Sequence, residues 1–126
     1  MDLSKFKPYT VSPGVVTITI GKNGLAFSKT AVIRLGKPEY VELLVNDDDK
    51  IIVIRALSEQ SETSTNFFKP GKKNIMVRWN YQDLIERIAE MMNWDTENKT
   101  YKVRGEYHPE DNLLSFSLKN ASVLGK

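Results

Sequence analysis

Residues 40–57 restrict the fold more than any other stretch. Two apolar, partly β-branched runs, YVELLV (40–45) and IIVIRAL (51–57), flank Asn46, three aspartates and Lys50. Such runs about a polar break read as a hairpin. A four-residue loop, 47–50, pairs Val45 with Ile52, Leu43 with Ile54 and Val41 with Ala56. It also sets Glu42 opposite Arg55, a favourable cross-strand pair. A slip of one residue would oppose unlike partners, so the pattern selects this register. Both faces are rich in Leu, Ile and Val. The hairpin is therefore expected to be the most buried sheet element, with Leu43 fully buried between the sheet and a helix.

The preceding residues supply a hairpin and a short helix. The run VVTITI (15–20) reads as a strand, Gly21, Lys22, Asn23 and Gly24 as a turn, and residues 25–27 as the returning strand. Ser28 stands where a helix N-cap belongs, because its hydroxyl can accept an orphan backbone N–H. Residues 29–35 give two helical turns with Ala31, Val32 and Leu35 inward. Gly36 suits the left-handed position after the helix, and Pro38 forbids its continuation. Residues 1–14, broken by Pro8 and Pro13, read as an extended arm with Phe6 and Tyr9 docked on the body.

A second copy of this plan follows. Residues 58–66 (SEQSETSTN) contain no apolar side chain and read as a solvated connector. Residues 67–68 and 75–77 read as strands about a Lys-Pro-Gly-Lys-Lys turn. Asn80 reads as an N-cap, and Asp83 favours the helix start. Tyr81, Leu84, Ile85, Ile88, Ala89 and Met92 recur at helical spacing, with Trp94 closing the helix. Residues 101–107 and 113–118 form a last hairpin, pairing Tyr107 with Leu114, Gly105 with Phe116 and Val103 with Leu118. Lys102, Arg104, Glu106, Ser115 and Ser117 share its polar face, which also carries Leu113. The expected fold is α+β: mostly antiparallel sheet with two helices. It would be a duplicated β-β-α-β-β plan, 15–57 and 67–120, closing one compact pseudo-dimeric domain.

Composition bounds the chemistry. Eighteen Lys and Arg against sixteen Asp and Glu leave a net charge of +2, which excludes an indiscriminate polyanion binder but permits a local basic patch. Without cysteine there is no disulfide framework and no thiolate zinc site. No apolar run approaches the ~18–20 residues that span a bilayer, and the N-terminus lacks the apolar core of a signal peptide. A cytoplasmic protein without membrane contact is expected. His108, the only histidine, precedes Pro109 in a hairpin loop and reads as a turn residue. The three aspartates lack the alternate ligands, central Gly and distal Glu of a calcium loop. The Gly21–Gly24 turn lacks phosphate-loop spacing. Glu86 and Glu90 share a solvated helix face with Arg87. No nucleophile, base and oxyanion donors converge, so the expectation is a non-enzyme without cofactor or metal.

Two groups of cations suggest phosphate contact. Lys22, Lys29, Arg34 and Lys37 surround the first helix; Lys69, Lys72 and Lys73 crowd one turn. Trp79, Trp94, Tyr101 and Tyr107 fall mostly at core positions, although such rings could form a base-stacking platform.

Residues 27–57 resemble the AbrB-type swapped-hairpin DNA-binding domain of transition-state regulators and many antitoxins. The resemblance rests on Lys29 at the helix start, Leu35 and Gly36 at its end, Lys37 and Pro38 in the turn, and KIIVIR (50–55) as the last strand. Ser28 stands at the family's usual proline, Val32 at its arginine, and Glu39 and Tyr40 at its Gly-Asp. A chain with two such units also resembles the MraZ arrangement, although the second half lacks the motif residues. The whole chain is further similar to small proteins of Gram-positive bacteria and their mobile elements. The resemblance implies a transcription-regulator-like protein that binds duplex DNA. The near-neutral charge and Val32 favour the alternative, a protein-interaction module such as a mobile-element accessory or antitoxin-like protein, with homo-oligomers open to either.

Overall fold

A computed structural model describes residues 1–7 and 14–124. In chain order the elements are β1 (Thr17–Gly21), β2 (Gly24–Phe27), α1 (Lys29–Arg34), β3 (Tyr40–Asn46), β4 (Ile51–Leu57), β5 (Ser64–Asn66), β6 (Val77–Trp79), α2 (Gln82–Met92), β7 (Thr100–His108), β8 (Leu113–Ser117), a 3-10 turn (Leu118–Asn120) and β9 (Ser122–Leu124). Eight strands form one curled antiparallel half-barrel in the order β5-β3-β4-β8-β7-β1-β2-β6, with β9 beside β7. The fold is thus an antiparallel sheet with two helices.

The β3–β4 register matches the pattern reading at each pair: Val45 opposes Ile52, Leu43 opposes Ile54, Val41 opposes Ala56 and Glu42 opposes Arg55. The β7–β8 hairpin pairs Tyr107 with Leu114 and Gly105 with Phe116, also as expected. Both four-residue loops end on a left-handed residue, Lys50 (φ 59°) and Asn112 (φ 49°). Two hydrogen bonds then tie β4 to β8 in matching fashion. The Leu118 N–H donates to the Lys50 carbonyl (2.8 Å), and the Ala56 N–H donates to that of Asn112 (3.1 Å).

Val103 does not pair with Leu118. At Gly105 the long strand β7 changes partners: residues 105–108 pair with β8, while residues 101–104 pair with β1. The vacated edge is taken by β9, which pairs with residues 100–102. A side chain at Gly105 would press into the Phe116 ring and the Ser115 carbonyl oxygen (2.7 Å). This crossing of the sheet is therefore open only to glycine.

The inward faces of the strands bury Ile18, Ile20, Leu25, Phe27, Val41, Ile52, Ile54, Val103, Leu114 and Phe116. Ala31, Val32 and Leu35 from α1 and its end, with Ile85 and Ile88 from α2, complete the same core. Ser28 fastens α1 to the sheet. Its hydroxyl accepts from the Ala31 and Thr17 N–H groups (3.2 and 3.1 Å) and donates to the Val15 carbonyl (3.0 Å). Gly36 takes φ 91° after α1, as expected.

Several expectations are corrected. Leu43 is half-buried rather than buried, because β5 covers β3 only at residues 40–42 and the remainder of β3 is a sheet edge. Residues 67–77 form no hairpin. Phe67 and Phe68 continue off β5 into the core, and β6 pairs with β2 instead. The polar connector contributes β5, whose Ser, Thr and Asn suit an edge strand. The N-cap of α2 is Tyr81 rather than Asn80, without a side-chain cap. Phe6 is 63% exposed and not docked; Pro8, Tyr9 and Pro13 lie outside the described residues. Among the described residues no helix is long and apolar enough to cross a membrane.

Candidate functional site

Strand alternation decides which side chains leave the core. On β1, β2, β6 and β7, Ile18, Ile20, Leu25, Phe27, Val77, Trp79, Tyr101 and Val103 point inward. Thr17, Thr19, Ala26, Arg78, Lys102 and Arg104 therefore face out. The registers place Ser122, Lys102, Thr19, Ala26 and Arg78 in one row across five strands. Arg104 and Thr17 stand in the next outward-facing row, about 6.8 Å further along the strands.

Two clefts open on this face. The first, about 550 Å³, has Thr19, Ala26, Arg78 and Thr100 as its floor and Lys22, Asn23, Thr96, Asn98 and Lys99 in its walls. The second, about 570 Å³, is lined by Val15, Thr17, Lys102, Arg104, Asn120 and Ser122. Five cations, Lys22, Arg78, Lys99, Lys102 and Arg104, converge here, and Glu97 is the only carboxylate in either lining. Among the described residues none of the five forms a salt bridge.

Both walls of the first cleft are pre-built. The amide of Gln82, in the first turn of α2, donates to the Lys22 carbonyl (3.4 Å) and to Asn80 (3.1 Å). Opposite, the Trp94 ring stacks flat on Tyr101, centroids 4.1 Å apart. The Tyr101 hydroxyl accepts from the Asp95 N–H (2.9 Å), and the Asp95 carboxylate accepts from both the backbone and the amide of Asn98. Asp95 is thereby spent on ordering the loop and does not turn into the cleft. Cations, threonine hydroxyls and asparagine amides on a rigid frame are donors for anionic oxygens.

A smaller cleft of about 400 Å³ lies between β3 and the segment after β5, lined by Glu39, Tyr40, Gln60, Asn66, Phe67, Phe68, Lys69 and Pro70. Tyr40 sits there beside the Glu39 carboxylate, whose charge raises the phenol above its ordinary pKa.

Of the seven cations singled out from the sequence, Lys22 lines the large basic face and Lys69 the smaller cleft. Lys29 and Arg34 begin and end α1, and Lys37 follows it; all three are exposed. Lys72 and Lys73 are exposed in the β5–β6 loop. Sequence reasoning missed Arg78 and Lys99 and placed Lys102 and Arg104 only on a polar hairpin face. Alternation signalled that these two point outward. What joins them to Lys22 and Arg78 is pairing between segments far apart in the chain. In comparisons with known protein families, curated proteins and solved structures, the chain matches none.

Proposed function

We propose that this protein is a non-enzymatic nucleic-acid binder that takes duplex DNA on the outer face of β9, β7, β1, β2 and β6. One observation carries the reading: five cations, which form no salt bridge among the described residues and come from the β1–β2 turn, β6, and β7 with the loop before it, converge on one face of a chain whose net charge is only +2. Cations held close without carboxylate partners raise the local potential and repel one another, a cost that a polyanion relieves. The AbrB-type resemblance of residues 27–57 adds a transcription-regulator-like role. Fluorescence anisotropy with a short duplex at low salt tests the reading. Log affinity should fall linearly with log salt, and Lys102→Glu combined with Arg104→Glu should weaken binding ~10-fold or more. Absence of binding at ~50 mM salt, where phosphate contacts are strong, ends it.

The duplicated β-β-α-β-β plan belongs to the same proposal, and the strand order supports it. Advancing four strands along the chain exchanges β1 with β5, β2 with β6, β3 with β7 and β4 with β8. The joints β5–β3, β3–β4, β4–β8 and β2–β6 then fall on existing joints. Along the eight-strand path only β1–β2 has no counterpart, since β5 and β6 are the two ends of the open sheet; β9 beside β7 stands outside the exchange. The helices fall in step, α1 after β2 and α2 after β6. Gly24, at the end of the β1–β2 turn, and Gly71, in the β5–β6 loop, share positive φ (125° and 83°).

A second reading, protein contact, is favoured by the outer face of β3, β4 and β8. Leu44 is 40% exposed there, beside half-buried Ile51, Val53 and Leu113. If this face joins two copies of the chain, light scattering should report a dimer that Leu44→Asp converts to monomer. A monomeric wild-type protein removes that version of the reading.

A further inference from the structure

The basic face and the smaller cleft occupy corresponding places in the sheet, and they differ in charge. The correspondence follows from register alone. In the two hairpins with matching four-residue loops, Lys50 corresponds to Asn112, which makes Tyr40 the counterpart of Lys102 and Glu42 that of Arg104. Tyr40 pairs with Asn66 as Lys102 pairs with Thr19, and Glu42 pairs with Ser64 as Arg104 pairs with Thr17. Continuing at the same offset, Lys69 corresponds to Lys22 and Gly71 to Gly24.

We infer that only one of these two corresponding places binds, so that each chain holds a single phosphate backbone, on the Lys102–Arg104 side. This inference rests on the nucleic-acid reading of that face. At the two decisive positions the charge changes from two cations to a neutral phenol and a carboxylate. Glu42 also holds Arg55 in a salt bridge and accepts from the Thr63 hydroxyl (2.7 Å), so that guanidinium is already engaged. Glu39 places a carboxylate in the lining of the cleft itself. Where the basic cleft has Gly21, the smaller one has Phe68, 8% exposed and part of the core. Lys69 keeps the charge of Lys22 within the cleft; Lys37, the counterpart of Lys99, is also a cation but is exposed outside the cleft lining. A phosphate in this cleft would meet Lys69 and the Glu39 carboxylate in the lining, with the Glu42 carboxylate one outward-facing position further along β3, and like-charge repulsion opposes its entry.

The test uses the full chain, a labelled duplex of about one helical turn (~10 base pairs) and a low-salt titration to saturation. Wild-type protein should take one duplex per chain. Lys102→Glu with Arg104→Glu should lower affinity ~10-fold or more and flatten the log–log salt slope by about two, one for each phosphate left without its cation. Lys69→Glu should leave affinity within about twofold, because an exposed charge outside the bound face acts only through screened, long-range potential. Tyr40→Lys with Glu42→Lys should create a second site and raise the stoichiometry to two. Tyr40→Lys alone, which spares the Glu42 hydrogen bonds, should show a weaker second phase if the double variant unfolds. Two duplexes on the wild-type chain, or equal losses from Lys69→Glu and Lys102→Glu, would overturn the one-sided inference and leave the nucleic-acid reading standing. Failure of the wild-type protein to bind duplex overturns both.

Discussion

Single residues carry two separable loads. Ser28 closes the N-terminus of α1 and also satisfies the Thr17 N–H on β1. Replacing it with alanine removes a helix cap, worth about 1 kcal/mol, and leaves a sheet donor without its acceptor. Urea unfolding of Ser28→Ala should therefore show a loss of about 1–3 kcal/mol; a change within error would mean the hydroxyl does not make these hydrogen bonds. Glu42 carries the other load. The Thr63 hydroxyl first, and Arg55 second, hold its carboxyl below the ordinary value of 4.5. A depressed carboxylate pKa stabilises the fold above the unfolded value, and that contribution is lost as pH falls through the folded one. The stability gap between wild type and Glu42→Gln should be largest at neutral pH and shrink below about pH 4.5. A gap that stays constant down to strong acid would contradict this assignment. The cap at Ser28 and the Glu42–Arg55 pair were both legible in the sequence, because each is a local rule or a register consequence. The Thr63 hydrogen bond was not, since nothing in the polar connector announces that its end pairs with β3.

Among the elements, β7 does the most. It belongs to the last hairpin at one end and to the first strand's ladder at the other, and Gly105 marks the change. The hairpin was legible because alternation and loop length agree. The crossing was not, because a glycine in a strand announces close approach without naming the neighbour. Gly105→Ala should destabilise by about 1–3 kcal/mol through overpacking against Phe116. Phe116→Leu, costly alone, should cost less in the Gly105→Ala background, giving a coupling of about 0.5 kcal/mol or more in a double-mutant cycle. Additive effects would show that the two positions do not share space. The β3 edge makes the complementary point: the apolar character of its hairpin is plain in the sequence, yet Leu43 is only half-buried because its neighbouring strand is three residues long. Residues 67–77 failed as a hairpin for a related reason. β6 finds its partner in β2, far earlier in the chain, and no local signal reaches that distance.

At the scale of the whole molecule, the open joint between β5 and β6 is spanned by one side chain. The Trp79 indole N–H donates to the Asn66 carbonyl (3.0 Å), and its ring packs edge-on against Phe27 and Phe67. Trp79→Phe keeps an aromatic ring but drops the donor, and should cost about 1–3 kcal/mol. Faster amide exchange should concentrate around residues 64–68, and uniform acceleration across all strands would argue against a local clasp. The basic face also exists only at this scale: Arg78, Lys99 and Lys102 meet Lys22 through the ladders β2–β6 and β1–β7, so charge spacing along the chain could not disclose it. The same interleaving has a kinetic consequence. Only β1–β2, β3–β4 and β7–β8 join neighbours in sequence; β4–β8, β1–β7 and β2–β6 bring distant segments together. Long loops must close before those ladders repay their entropy, which places folding in the millisecond-to-second range of non-local β proteins. Neither half owns a complete set of strand neighbours, so a cut within residues 58–63 should yield fragments that are unstructured apart and regain the sheet only when mixed.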